Sequence, residues 1–344
     1  MSSAAAGRDP FAGRLPVTLL TGFLGSGKTT LLARLLRHPG MNRAAVIINE
    51  WGAAGIDHEL VTRSSESTTL LSNGCLCCTV RTDLQETLRE LFVKRRAGEV
   101  IDFERVFVET TGLADPVPVI HTLQTDGLLG AQFRLDGVVT LVDAVNGMGQ
   151  LDTMPEAVKQ AAVADRIVLS KTDLADGAAV AQLEERLKGF NSFASFSRAI
   201  QGDVDPEALV NLGPASARAL PSTWLGAGGR GEYLGRRLAG AHDAAIHSFC
   251  LWFERPFTWD VLNAAVQALT SLRGPDLLRM KGIVNVEGEA GPVVLQGAQH
   301  LFHPPVTLEG WRTADRRSRI VFIVRNIAEE AIGALFAAAS ALRR

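Results

Sequence analysis

Three of the four cysteines in this 344-residue chain fall within four positions, at Cys75, Cys77 and Cys78. Thiols this close can form a strained disulfide, share a redox cycle, or supply most of the coordination shell of a soft or borderline metal such as zinc. A second chemical stretch precedes them. Gly22-Phe23-Leu24-Gly25-Ser26-Gly27-Lys28-Thr29-Thr30 carries the full G-x-x-x-x-G-K-[ST] pattern. From Gly25 through Ser26 and Gly27 to Lys28, backbone amides can cradle phosphates at a helix start. Lys28 adds a cation, and the Thr29 hydroxyl can reach Mg²⁺.

Further along, Glu109-Thr110-Thr111-Gly112 places an acid at a strand end after that loop, the position that holds Mg²⁺ or its water in P-loop NTPases. Gly112 would let the backbone approach a γ-phosphate, making this loop a switch. Lys28, Thr29, Glu109 and Gly112 are therefore the catalytic candidates. In Ser170-Lys171-Thr172-Asp173, the Asp173 carboxylate can accept from N1–H and the exocyclic amine of guanine, while the Lys171 stem covers the base. A second base-contacting loop is expected at Ser197-Arg198-Ala199. Glu50 and Asp57 lie just beyond another strand and can ligate a metal. Glu50 is the first choice for a fourth ligand beside the cysteines and His58 the second, and His242 with His247 can form an acquisition pair.

These residues need a scaffold. Leu15–Leu20, Ala44–Asn49, Arg105–Glu109, Val138–Asp143 and Arg166–Ser170 are short apolar runs that read as buried strands, separated by helical stretches such as Leu31–His38 and Pro155–Ala164. Such alternation predicts an α/β P-loop NTPase domain over 15–220, with a mostly parallel sheet covered on both faces. Leu84, Leu88, Leu91 and Phe92 recur at helical spacing, so the cysteines are expected against a helix N-terminus. Its partial positive charge would favour the thiolates of Cys77 and Cys78. The amides around Cys78, Thr79, Val80 and Arg81 would then face a γ-phosphate from the side opposite the first loop. Asp115-Pro116 reads as a cap and first-turn proline.

Residues 1–14 read as a flexible N-terminus and the glycine-rich 221–244 as a linker. Beyond it, 245–344 is expected to form a smaller α+β domain: strand Ile246–Phe253, helix Trp259–Leu272, strands Arg279–Val286, Val293–Gln296 and Arg319–Val324, and helix Ala328–Leu342. Gly288 and Gly291 mark a hairpin in a largely antiparallel sheet. Cys250, alone on an apolar strand, reads as core.

A formal charge of −2 and a pI near 6.4 give no electrostatic footprint for nucleic acid or an anionic membrane. No apolar run approaches the length of a membrane span, and residues 1–14 lack the apolar core of a signal peptide. A cytoplasmic protein with reduced thiols is expected.

In order along the chain, G-F-L-G-S-G-K-T-T (22–30), N-E-W-G-A-A-G-I-D (49–57), N-G-C-L-C-C-T-V (73–80), E-T-T-G-L-A-D-P (109–116) and S-K-T-D-L (170–174) resemble the CobW-type GTPase family, grouped with the hydrogenase and urease maturation GTPases. R-G-P-D-L-L-R-M-K-G-I (273–283) and Q-G-A-Q-H-L-F (296–302) are similar to that family's C-terminal domain. The resemblance implies a low-turnover GTPase that uses Mg²⁺, binds Zn²⁺ or Co²⁺ at the G-C-x-C-C element and hands it to a client metalloprotein. Zinc homeostasis, cobalamin synthesis and nitrile hydratase maturation are all within its range, and a homodimer is compatible. Alternatives are a nucleotide-gated thiol switch and a structural zinc site. Ser170 stands where the family usually has Asn, which predicts softer guanine selectivity. Ala53 replaces a common acid, and the histidine-rich tract of many members is missing.

Overall fold

The computed structural model describes residues 13–49, 68–70, 76–80, 84–213, 246–302, 304–311 and 314–341. Two compact units emerge, one of Gly13–Glu184 with Ala194–Gly213 and one holding Glu185–Phe193, which carries the end of a helix that begins in the first, with the described residues from Ile246 onward.

The first unit alternates strand and helix. In order come β1 (Leu15–Gly22), α1 (Lys28–Leu35), β2 (Ala44–Asn49), β3 (Thr68–Leu70), β4 (Leu76–Val80), α2 (Leu84–Ala97), β5 (Arg105–Thr110), α3 (Val117–Thr125), α4 (Gly127–Gln132), β6 (Phe133–Asp143), α5 (Gly147–Thr153), α6 (Pro155–Ala162), β7 (Arg166–Ser170), α7 (Gly177–Phe190) and β8 (Ser195–Ala199). The sheet order is β3-β4-β2-β5-β1-β6-β7-β8, and every neighbouring pair is parallel except β3 with β4.

Alternate residues of the central strands enter two cores. Val17, Leu19, Val106, Val108 and Val138 pack with Leu84, Leu88 and Leu91 of α2 and Ile120 of α3. Leu20, Phe107, Val139 and Leu141 pack on the other face with Leu31, Leu32 and Leu35 of α1. At about 1.5–3 kcal/mol for each large apolar side chain buried, this double burial explains why the strands read as unbroken apolar runs. β1 lies between β5, reached by a return of the chain, and β6, where it moves the other way. Such a switch point opens a crevice beyond the carboxyl ends of the strands, where Leu20 is level with Glu109.

The second unit comprises β9 (Ile246–Phe253), α8 (Trp259–Arg273), β10 (Leu277–Val284), β11 (Val293–Ala298), β12 (Leu301–Phe302), β13 (Val306–Thr307), β14 (Ser318–Arg325) and α9 (Glu329–Ala341). Its sheet, ordered β12-β11-β10-β14-β9 with β13 on β11, is antiparallel throughout. One face carries Phe249, Leu277, Met280, Ile320 and Phe322 against Leu262, Ala265 and Leu269 of α8 and Ile332 and Phe336 of α9. Thr258 caps α8 by accepting from the Val261 amide at 3.4 Å. Gly288 turns the hairpin at φ +84°, and Gly291 is needed because a Cβ there would lie 2.0 Å from the Leu308 carbonyl. Arg317 and Arg319 both stand over Trp252, each 4.8 Å from its centroid, and both donate to Asp315.

Several elements differ from the sequence reading. Residues 197–199, expected as a loop, belong to β8, which runs from Ser195 to Ala199 because it pairs in parallel with Arg166–Ser170 along its whole length. Helix α6 stops at Ala162, and α4 and α5 are short helices that the apolar pattern did not mark. The linker 221–244 lies outside the described residues.

Candidate nucleotide site

Strand β1 ends in Gly22 at φ +142°, where a Cβ would sit 2.4 Å from the Leu141 carbonyl, so only glycine admits this approach of β6. The chain then closes a turn in which the Ser26 amide donates to the Phe23 carbonyl at 3.1 Å. Gly25 and Gly27 both take left-handed backbone, at φ +73° and +91°. Gly27 is the N-cap of α1, which has no side-chain cap and no acidic residue in its first turn. Its leading amides and the positive end of its dipole are therefore left to an anion. Lys28, 8% exposed, donates through Nζ to the carbonyls of Gly22 at 2.7 Å and Phe23 at 3.1 Å. Thr30 lies on the exposed side of α1, its carbonyl against Gly202.

The acid expected at the end of β5 meets this loop. Thr29 Oγ1 donates to Glu109 Oε1 at 3.0 Å, and Glu109 is 2% exposed. One residue on, Thr110 Oγ1 donates to Thr21 Oγ1 at 2.9 Å, clamping the ends of β5 and β1 together. A hydroxyl and a buried carboxylate side by side are the hard oxygen donors that Mg²⁺ takes, so the residues fit that ion. Gly112 presses on the first loop, since a Cβ at 112 would lie 2.6 Å from the Leu24 amide nitrogen. The same stretch is gripped from behind. Gln160 of α6, fully buried, donates through Nε2 to the carbonyls of Gly112 at 3.1 Å and Ala114 at 3.0 Å. Asp115 accepts from the Val117 amide at 3.0 Å, one position off the expected cap, with Pro116 as the N-cap residue of α3.

On the other flank, Ser170 Oγ donates to the Ser26 carbonyl at 2.6 Å. The hydroxyl thus keeps the base loop tied to the phosphate loop, although Ser170 replaces the expected Asn. Lys171 holds left-handed backbone at φ +56°, a strain of about 1 kcal/mol. Its Nζ donates to Asp143 Oδ2 at 2.7 Å. Burial pushes the Asp143 carboxyl up, but hydrogen bonds from Lys171, the Asn146 side chain and the amides of Val145 and Asn146 outweigh it and leave it lowered. Asp173 is exposed on the turn that closes from the Leu174 amide to the Lys171 carbonyl. Because β8 extends to Ala199, residues 197–199 are strand rather than the expected base-contacting loop, and the turn that follows packs Gly202 on α1.

Cys77, Cys78, Thr79 and Val80 are strand residues of β4, level with Val46, Ile47, Ile48 and Asn49 of β2. The expectation that they sit at a helix start is corrected. Two extended residues, Thr79 and Val80, follow Cys78 before any helix, about 7 Å of chain, and a helix dipole acts only within its first turn. Glu50, Asp57, His58, Cys75, Arg81 and His242 lie outside the described residues. Among the described residues no group of three or more His, Cys, Asp and Glu is assembled for a metal. Asp143, Asn146 and Gln160 were missed by motif reading. For Gln160 the signal was present, as a polar residue on the buried stripe of Ala157, Val158, Ala161 and Ala162.

Comparison with known proteins agrees with this geometry. The model described as "CobW/HypB/UreG, nucleotide-binding domain" matches residues 16–198, and the "Cobalamin synthesis protein cobW C-terminal domain" matches 246–340. The zinc chaperone YjiA of Escherichia coli (strain K12) is 33% identical over 323 residues, covering 94% of this chain and 98% of that protein. The zinc chaperone CobW of Pseudomonas aeruginosa is 28% identical over 357 residues, covering 93% and 90%. The crystal structure of Zn(II)-bound YjiA GTPase from E. coli matches with a TM-score of 0.76 at 32% identity, over 94% of this chain and 98% of that one. With both domains matched in order and the phosphate loop, acidic strand end and base loop built as described, the chain belongs to the CobW/HypB/UreG family.

Proposed function

We propose that this chain is a GTP-hydrolysing metallochaperone that binds Zn²⁺, or Co²⁺, and passes it to a client metalloprotein in the cytoplasm. Residues 15–220 would form the GTPase domain and 245–344 the second domain, joined by 221–244. The observation that carries the reading is the Thr29–Glu109 contact at an uncapped helix start, with Ser170 fixing the base loop to the same turn. The relatives named as zinc chaperones support the cargo, as does the density of thiols at Cys75, Cys77 and Cys78.

The amides from Gly25 to Lys28 would bind the phosphates, and Lys28 Nζ would exchange the Gly22 and Phe23 carbonyls for phosphate oxygens. Thr29 and Glu109 would hold Mg²⁺, which neutralises charge on the β- and γ-phosphates. Water attacks the γ-phosphorus while its bond to the β-bridging oxygen breaks, leaving GDP and phosphate. Asp173 selects guanine, and Lys171 is held by Asp143 to cover the base. Cys75, Cys77 and Cys78 would ligate the cargo as thiolates, with Glu50 as fourth ligand. The Gly112 loop would relay hydrolysis to that cargo.

The test is Zn²⁺ affinity in the presence of a non-hydrolysable GTP analogue and of GDP. Tighter binding in one nucleotide state is expected; equal affinities sink the coupling. Among the described residues no helix is long and apolar enough to cross a membrane.

A further inference from the structure

We propose that Gln160 is a positioning residue for GTP hydrolysis, fixing the loop that follows Glu109 by two hydrogen bonds from a single nitrogen; this rests on the GTPase reading above. The acceptors are the carbonyls of Gly112 and Ala114, two residues apart, and both must converge on Nε2. That convergence sets the curvature of the loop. On its other side, the missing Cβ of Gly112 lets the loop lie on the backbone of Leu24 in the phosphate loop. Gly112 is thus held between a helix and the phosphate loop, and neither contact leaves much freedom.

A glutamine placed for packing alone is a poor explanation. Gln160 is fully buried, and its Oε1 has no hydrogen-bond partner among the described residues. A dry buried carbonyl forfeits its hydration with nothing in return, a cost that leucine or methionine at this site would avoid. The side chain is instead retained where its amino group reaches the loop, and the opposite amide orientation would set Oε1 against two carbonyls. The backbone of Gln160 is itself anchored, its carbonyl accepting from Thr140 Oγ1 of β6 at 2.8 Å. The loop is therefore referred to the central sheet through one side chain. By comparison, the half-exposed pair Lys159–Asp115 at 3.5 Å adds little.

A residue that places the loop without binding the ground-state nucleotide should affect turnover more than affinity. Replacing it as Gln160→Leu, or as the more adaptable Gln160→Met, should lower kcat for GTP about tenfold while KM for GTP and affinity for GDP stay within about twofold. Turnover equal to the parent's, or a loss of GDP affinity as large as the loss of kcat, would overturn the assignment. If neither variant folds, the wild-type protein with a GTP analogue provides the test. Its Gln160 side-chain amide should exchange hydrogen at least about tenfold more slowly than an exposed glutamine, and free exchange would overturn it. Parent turnover in the same assay separates the two readings: a parent that does not cleave GTP defeats the GTPase function, whereas an active parent with an indistinguishable variant defeats Gln160 alone.

Discussion

At the scale of single residues, charged groups of the site are paired within the protein, Lys28 with carbonyls, Glu109 with Thr29 and Lys171 with Asp143. Thr29 donates to Glu109, and the proposed Mg²⁺ would take both oxygens in place of that hydrogen bond. Glu109→Gln keeps the hydrogen-bond length but removes the negative charge. Single-turnover GTP hydrolysis should fall on the order of 10²–10³-fold, with GDP binding little changed. Lys171 and Asp143 form a second pair, beside the proposed base site. Asp143→Asn should weaken GTP binding about tenfold by titration calorimetry, the value of one charge-assisted hydrogen bond. The carboxyl is held below its ordinary value of 3.8, so its share of stability is present above that value and lost as pH falls through the lower folded value. Urea midpoints of parent and variant should therefore differ at neutral pH and draw together below pH 3.8.

At the scale of elements, three junctions bring the residues together: β1 into α1, β5 into α3, and β7 into its left-handed turn. Gly22→Ala forces a Cβ to within 2.4 Å of the Leu141 carbonyl and should cost about 2–4 kcal/mol in urea denaturation. The first two junctions were legible because glycine spacing and apolar runs report local backbone. The hairpin at Gly288 was legible for the same reason. Gln160 was not, because its partners Gly112 and Ala114 are more than forty residues away and no local pattern reports that separation. Strand β4 was misread because three cysteines followed by a leucine heptad look like a helix start. Its extended form comes from pairing with β2, a contact distant in sequence. The end of β8 slipped likewise, since Ser197 and Arg198 show no apolar alternation and are held by the β7 register.

At the scale of the whole molecule, two units have separate cores, so unfolding need not be a single transition. Phe336 sits fully buried among Phe253, Phe257 and Phe322. Phe336→Ala should cost the second unit about 3–5 kcal/mol, shifting one calorimetric transition and leaving the one that GDP stabilises in place. Cys250, on β9 of that unit, matters in another way. Burial pushes its thiol up to about 12 from 9.0, and at neutral pH its thiolate fraction is about a thousandfold below that of an ordinary cysteine. Alkylation rates follow the thiolate, so Cys250 should escape a neutral-pH label applied for minutes to the native chain and react only after denaturation. The protein thus brings its own dark background to any titration of Cys75, Cys77 and Cys78, and the cargo loading proposed for them can be tested as a loss of signal without mutating the fourth cysteine.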